Sequence, residues 1–433
     1  MIWAKEETLP REEIEKIQLE KLKKLVVRMY EGAPYYRKKM DEANVKPEDI
    51  CSLKDVQKLP FTTKQEMRDN YPFKMLMVPM REIKRIHASS GTTGKPTVVA
   101  YTQNDLDMWS ECVARLAAAG GATKDDIAQI CFGYGMFTGA LGLHCGLEKI
   151  GAAIIPSSTG NTQKQLLYMK DFGTTLLVAT PSYAMRIAEV AKEIGMDPKK
   201  DLNLRVALVG SELLTEAMRA EMHKVYGDKL LVTQNYGMSE LIGPGVSGEC
   251  EYLCGMHINE DHFLVEIINP ETGEVLKPGE KGEVVVTCLD KEALPLIRYR
   301  TRDISRLFLE KCKCGRTTAR MENLSGRTDD MLKIRGVNVF PSQIEEALLS
   351  VDGIGPHYEI IVEKNGMSDV LTIRVEIAPE KMQDSFAFIS NLQKEIKEKI
   401  KFILGLDSIV KIESPNTLQR FEGKAKRVID LRK

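Results

Sequence analysis

Three short apolar runs between residues 175 and 233 constrain this chain most. Thr175-Leu-Leu-Val-Ala179 leads into Thr180-Pro181-Ser and an apolar helical pattern, with Thr180 as the cap and Pro181 in the first helical position. Arg205-Val-Ala-Leu-Val209 leads into Gly210-Ser-Glu212 and a second helical pattern, and Leu230-Leu-Val-Thr233 runs into a glycine-containing turn. Repeated strand, loop and helix units predict an α/β body with ligands held at the strand ends.

The flanks read differently. From Arg11 to about Met40, Ile14, Ile17, Leu22, Leu25, Val26 and Met29 recur at helical spacing, which predicts one amphipathic helix lying on the body. Beyond about residue 325, Tyr358-Glu-Ile-Ile-Val-Glu363 and Val370-Leu-Thr-Ile-Arg-Val-Glu376 alternate apolar and polar residues around Asn365-Gly366, a hairpin signal. A helix is predicted from Ser385 to Leu404. The expected organisation is a large N-terminal α/β domain, 1–326, and a small α+β C-terminal domain, 327–433, within the size that 433 residues allow.

Sixty-one basic against 62 acidic residues argue against a general nucleic-acid binder. The sequence contains no uncharged apolar run of about 18 residues, and MIWAKEETLPREEIEK has no signal-peptide core, so no membrane partner is expected and the expected location is the cytoplasm. Nine scattered cysteines then suggest buried thiols, metal ligands or reactive groups rather than a disulfide framework.

Ser89-Ser-Gly-Thr-Thr-Gly-Lys-Pro-Thr97 is a candidate anion loop. A Walker A loop needs four residues between its glycines and Ser or Thr after its lysine; here two residues intervene and Pro96 follows Lys95, which excludes a P-loop NTPase. The composition still suits a polyphosphate: glycine amides approach anionic oxygens, hydroxyls add donors, and Lys95 adds charge.

Four later segments give this loop a context: Tyr236-Gly-Met-Ser-Glu240, Tyr299-Arg-Thr-Arg-Asp303, Gly326-Arg-Thr-Asp-Asp-Met-Leu-Lys-Ile-Arg-Gly336 and Glu422-Gly-Lys424. In this order they resemble the adenylate-forming superfamily of acyl-CoA ligases, from about residue 60 to the C-terminus. Phe132-Gly-Tyr-Gly-Met-Phe-Thr-Gly139, Lys291-Glu-Ala-Leu-Pro-Leu-Ile-Arg-Tyr-Arg300 and Arg335-Gly-Val-Asn-Val-Phe-Pro341 are similar to the phenylacetate-CoA ligase family.

That resemblance implies a multi-sheet adenylate-forming domain with a mobile C-terminal lid. It also implies ATP-dependent ligation of an aryl acid to coenzyme A through an acyl-adenylate, releasing AMP and pyrophosphate. Phenylacetate leads; indoleacetate, hydroxyphenylacetate, a benzoate or transfer to a carrier-protein thiol are the alternatives. Ser89, Ser90, Gly91, Thr92, Thr93, Gly94 and Lys95 are then expected around the phosphates. Glu240 is the expected Mg2+ ligand, a hard carboxylate for a hard ion, with Ser239 beside it. Asp303 is expected to accept both ribose hydroxyls, the other reading being a surface ion pair with Arg300 or Arg302.

By the same resemblance Arg327 contacts ribose or phosphate, and Gly210, Ser211, Glu212, Asn235, Tyr236, Gly237 and Met238 frame the nucleotide. Lys424 is the expected catalytic lysine of adenylation, Asp329 the hinge. Tyr134, Phe137, Tyr236 and Pro244 are expected to line the acid pocket, aromatic walls suiting an aryl group. Family members are often dimers, so a homodimer is implied.

Separately, Glu249-Cys-Glu-Tyr-Leu-Cys-Gly-Met-His257 and Lys311-Cys-Lys-Cys-Gly315 hold five soft or borderline ligands. Cys250, His257, Cys312 and Cys314 are favoured as a structural zinc site, with Cys254 in reserve. Cys51, Cys112, Cys131, Cys145 and Cys288 are expected to pack.

Overall fold

The computed structural model describes residues 1–89, 96–328, 330–335, 337–365, 368–382, 386–421 and 425–432. The apolar runs form the parallel half of a mixed sheet. Among the described residues its spatial order is Leu307–Phe308, Arg320–Met321, Met256–Ile258, Gly243–Glu249, Leu231–Met238, Val206–Gly210, Leu176–Ala179, Ile127–Ile130 and Ala153–Ile155. From Leu231–Met238 to Ala153–Ile155 every pairing is parallel; on the other side every pairing is antiparallel. Leu231–Met238 is therefore where the sheet changes character.

Helices cover the parallel strands, as crossover connections require. Thr180 caps Pro181–Glu193 by accepting the Tyr183 amide at 3.1 Å. Ala184, Ile187, Ala188 and Ala191 of that helix are buried with Leu177, Ala207 and Val209 of the strands.

A second, antiparallel sheet of Phe263–Ile268, Gly282–Cys288, Tyr299–Ser305 and Gly326–Arg327 stands beside it. The third pairs Ile354–Asn365 with Ser368–Ile377, the expected hairpin, and adds Ile409–Glu413 and Val428–Asp430 as parallel edges. Alternation places Tyr358, Ile360 and Val362 on one buried face, where Ile396 and Ile400 of the helix Phe386–Leu404 cover them.

The single N-terminal helix is not observed. Arg11–Gly32 and Pro34–Glu42 are separate helices, with Ala33 extended at φ −121° and ψ 105°. Pro34 forces this, because its ring crowds the preceding residue out of the helical region while suiting the first turn of a new helix. Among the described residues no helix is long and apolar enough to cross a membrane.

Candidate active site

The end of Leu231–Met238 turns back through residues 239–242 into Gly243–Glu249. Gly237 is dictated by this return: a Cβ there would lie 1.8 Å from the Gly243 carbonyl oxygen. The tight turn holds Glu240 almost entirely out of solvent, and its Oε1 lies 3.0 Å from Lys64 Nζ. Ser239 Oγ is 2.9 Å from Thr138 Oγ1. Among the described residues Glu240 is thus a buried carboxylate neutralised by a half-exposed lysine, which a divalent ion could replace.

Asp303 comes from the other sheet. It is buried, and each carboxylate oxygen has a partner: the Tyr236 hydroxyl donates to Oδ2 at 2.7 Å, and Arg327 Nη1 to Oδ1 at 2.8 Å. Strand pairing sets Arg327 directly opposite Asp303. Burial, then the Asp303 charge, pushes the Tyr236 phenol well above its ordinary pKa, so it remains a donor. Arg300 and Arg302 pair with Glu283 instead, at 2.6 and 3.5 Å, which removes the surface ion-pair reading of Asp303.

At the end of Val206–Gly210, Gly210 packs against the neighbouring strand; a Cβ would stand 2.9 Å from Asn235 Oδ1. Asn235 Nδ2 donates to the Val209 carbonyl at 2.9 Å, tying the two strand ends together. Ser211 has a left-handed φ of 68°. Glu212 then binds protein groups: Oε2 accepts from the Ser182 amide and hydroxyl at 3.1 and 2.6 Å, and Oε1 from the Ala425 amide at 2.6 Å. One carboxylate so joins a strand end of the large sheet to the C-terminal segment. Nearby, His357 Nε2 meets Glu189 Oε1 at 2.5 Å.

Of the expected acid-pocket residues, Tyr236 and Pro244 lie on adjacent strands, Gly237 standing opposite Pro244. The Pro244 carbonyl accepts the Trp109 indole N–H at 2.6 Å. The Tyr134 hydroxyl lies 2.9 Å from His144 Nδ1, and Phe137 is exposed. Ser89 pairs with Thr97 through two bonds, Ser89 N to Thr97 O at 2.9 Å and Thr97 N to Ser89 Oγ at 3.1 Å. Ser90, Gly91, Thr92, Thr93, Gly94, Lys95, Asp329 and Lys424 lie outside the described residues.

The two cysteine clusters meet on the antiparallel side of the large sheet. His257 is opposite Arg320 in register, which carries the first cluster to the second. One donor atom from each of Cys250, His257, Cys312 and Cys314 lies within 4.8 Å of the others. A tetrahedral zinc with Zn–S near 2.3 Å and Zn–N near 2.05 Å sets ligand edges of about 3.8 Å for S to S and about 3.6 Å for S to N. Cys250 to Cys312 is 3.8 Å and Cys314 to His257 Nε2 is 3.5 Å, so the donor set fits. Thr318 Oγ1 sits 3.1 Å from His257 Nδ1, orienting the ring. Cys254 is exposed and lies 3.4 Å from Cys312.

Lys64, Thr138 and Ser182 escaped the sequence reading. Each touches an expected site residue across a long stretch of chain, and nothing in its local spacing signals that contact.

Comparison with known proteins finds relatives along the whole chain. The AMP-binding enzyme family pattern matches residues 6–287, and the AMP-binding enzyme C-terminal domain pattern matches residues 336–432. The phenylacetate-coenzyme A ligase of Thermus thermophilus is 46% identical, covering 99% of this chain and 98% of that protein. The Escherichia coli phenylacetate-coenzyme A ligase is 46% identical, covering 98% of this chain and 97% of its own. A 2-hydroxyisobutyryl-CoA ligase in the postadenylation state, with 2-HIB-AMP bound, superposes with a TM-score of 0.92 at 27% identity, covering 98% of this chain and 91% of its own. That enzyme in the thioesterification state, with 2-HIB-AMP and CoA, scores 0.72 at 28% identity, covering 99% and 91%. By sequence over its whole length and by fold, the chain belongs to the phenylacetate-coenzyme A ligase family of AMP-binding enzymes.

Proposed function

We propose that the protein activates an aryl acid, phenylacetate foremost, with ATP to an acyl-adenylate and pyrophosphate, and then passes the acyl group to the thiol of coenzyme A with release of AMP. The observation that carries this reading is the 46% identity to phenylacetate-coenzyme A ligases over 98–99% of the chain.

In the first step a carboxylate approaches the negatively charged α-phosphate, so the protein must supply alignment and positive charge. Lys424 bridges those two groups, while Lys95 and the 89–94 hydroxyls and amides hold the outer phosphates. Asp303, steadied by Tyr236 and Arg327, accepts the two ribose hydroxyls. Gly210, Ser211, Asn235, Gly237 and Met238 frame the nucleotide, and Tyr134, Phe137, Tyr236 and Pro244 face the acid. Glu240 is the carboxylate ligand for magnesium, which when bound neutralises phosphate charge.

Residues 1–326 carry these groups apart from Arg327 and Lys424, which belong to 327–433, the lid that turns at Asp329 between the half-reactions. The Glu212 to Ala425 contact, and a closer superposition on the postadenylation structure than on the thioesterification structure, support a lid seated on the body. A structural zinc on Cys250, His257, Cys312 and Cys314 pins the loop 312–316 to the body.

Pyrophosphate release with ATP, Mg2+ and a panel of aryl acids, with and without coenzyme A, tests the reading. Release that depends on phenylacetate and is sustained only with coenzyme A is the expected result. Release from no aryl acid overturns it, and release indifferent to coenzyme A overturns the acceptor.

A further inference from the structure

The turn that presents Glu240 is held from below by two buried side chains outside the proposed reaction. Lys291 is 1% exposed, and its ammonium donates to the Leu241 carbonyl at 2.6 Å and lies 3.4 Å from the Glu240 carbonyl. The same ammonium stands 4.8 Å above the centre of the Tyr101 ring. The Tyr101 hydroxyl in turn donates to the Ile242 carbonyl at 3.2 Å and reaches the Ser239 carbonyl at 3.5 Å. Four consecutive carbonyl oxygens, 239 to 242, are thereby oriented by one cation and one hydroxyl.

Lys291 is itself fixed. The amides of Glu292 and Ala293 donate to the two carboxylate oxygens of buried Asp105, at 2.6 and 3.0 Å. Asp105 also accepts the Thr102 amide at 2.9 Å at the start of the helix Gln103–Ala119. Placing an ammonium on carbonyls and a ring face, with no carboxylate within ion-pair reach among the described residues, is costly. Replacing such a buried cation by an apolar group of similar volume is often neutral or stabilising, so stability alone does not account for the lysine. What the ammonium adds is a fixed direction for the turn on which Glu240 stands.

We propose that Lys291, together with Tyr101, is a positioning residue of this reaction: it locks the 239–242 turn so that the Glu240 carboxylate is pre-aimed at the magnesium of bound nucleotide. The proposal rests on Glu240 being the magnesium ligand. Partners that orient a ligand from outside the coordination shell typically change metal affinity or activity by 10- to 100-fold when removed.

The test compares Lys291→Met, Tyr101→Phe and Glu240→Gln in the full chain. Three quantities are read: thermal stability, the Mg2+ concentration giving half-maximal acyl-adenylate formation, and Mn2+ binding in the presence of ATP by electron paramagnetic resonance. Lys291→Met is expected to keep or raise the melting temperature while raising the Mg2+ requirement and weakening Mn2+ binding about tenfold or more. Tyr101→Phe is expected to move both metal readouts in the same direction by less.

If Glu240→Gln shifts the metal dependence and the other two variants do not, the positioning role is overturned while the reading of Glu240 stands. If Glu240→Gln leaves the metal dependence unchanged, both fall. Loss of stability and rate together at an unchanged Mg2+ requirement assigns Lys291 to the core alone and overturns the proposal. Should Lys291→Met fail to fold, Tyr101→Phe, which removes only a hydroxyl, decides it by the same readouts.

Discussion

Tyr236 and Asp303 belong to different sheets and meet through a single 2.7 Å hydrogen bond from phenol to carboxylate. The bond joins the strand end that carries the Glu240 turn to the strand that carries Asp303. Tyr236→Phe removes it while the Arg327 hydrogen bond to the other carboxylate oxygen stays in place. A hydrogen bond to a charged group contributes about 1.5–3 kcal/mol, so kcat/KM for ATP is expected to fall roughly 10- to 100-fold. Steady-state kinetics at limiting ATP measure this, and an unchanged kcat/KM would detach Asp303 from ribose binding.

Lys424→Ala is expected to slow adenylation by about 10²-fold or more, the scale for removing one transition-state donor. Thioester formation from supplied acyl-adenylate is expected to be spared, because a lid that has turned away takes its lysine with it. Equal losses in both half-reactions would contradict an alternating lid.

Protein purified without added metal is expected to carry about one zinc per chain, as four ligands close one tetrahedral site. Cys312→Ser, which removes a donor at the centre of the cluster, should lose the metal and melt earlier; Cys254→Ser should retain it. Elemental analysis finding well under one zinc per chain removes the site.

Acid should weaken the C-terminal unit through Glu376. Burial opposes the charge of this carboxylate, but Arg420 and the amides of Leu418 and Asn416 hold its pKa below the ordinary 4.5. A depressed carboxyl stabilises the fold fully above its unfolded pKa, and that contribution is lost as pH falls from about 4.5 through the lower folded value. The denaturation midpoint should decline over this window, and Glu376→Gln should be less stable at pH 7 with a flatter acid limb. An acid limb identical to the parent's would mean that other groups carry it.

The sequence went far where chemistry is local. Runs such as Val206–Gly210 announced buried strands, Thr180-Pro181 announced a helix start, and the two cysteine clusters announced a donor set. It erred at Ala33, where helical periodicity continues through a position that Pro34 forbids to be helical. Periodicity records which face is buried, and two successive helices can bury the same face.

What the sequence by itself determined were the residue types and their order: carboxylates at 240 and 303, a cysteine knuckle at 312–314, and strand and helix periods that admit an α/β fold. Tertiary structure alone decided the partners. Lys64 reached Glu240, Tyr236 and Arg327 took the two oxygens of Asp303, and Lys291 settled beneath the 239–242 turn. Such pairings span tens to hundreds of residues and depend on strand order and register, so a local pattern does not encode them. Burial then gives them their strength, because a carboxylate or an ammonium withdrawn from water must find its counter-group within the protein.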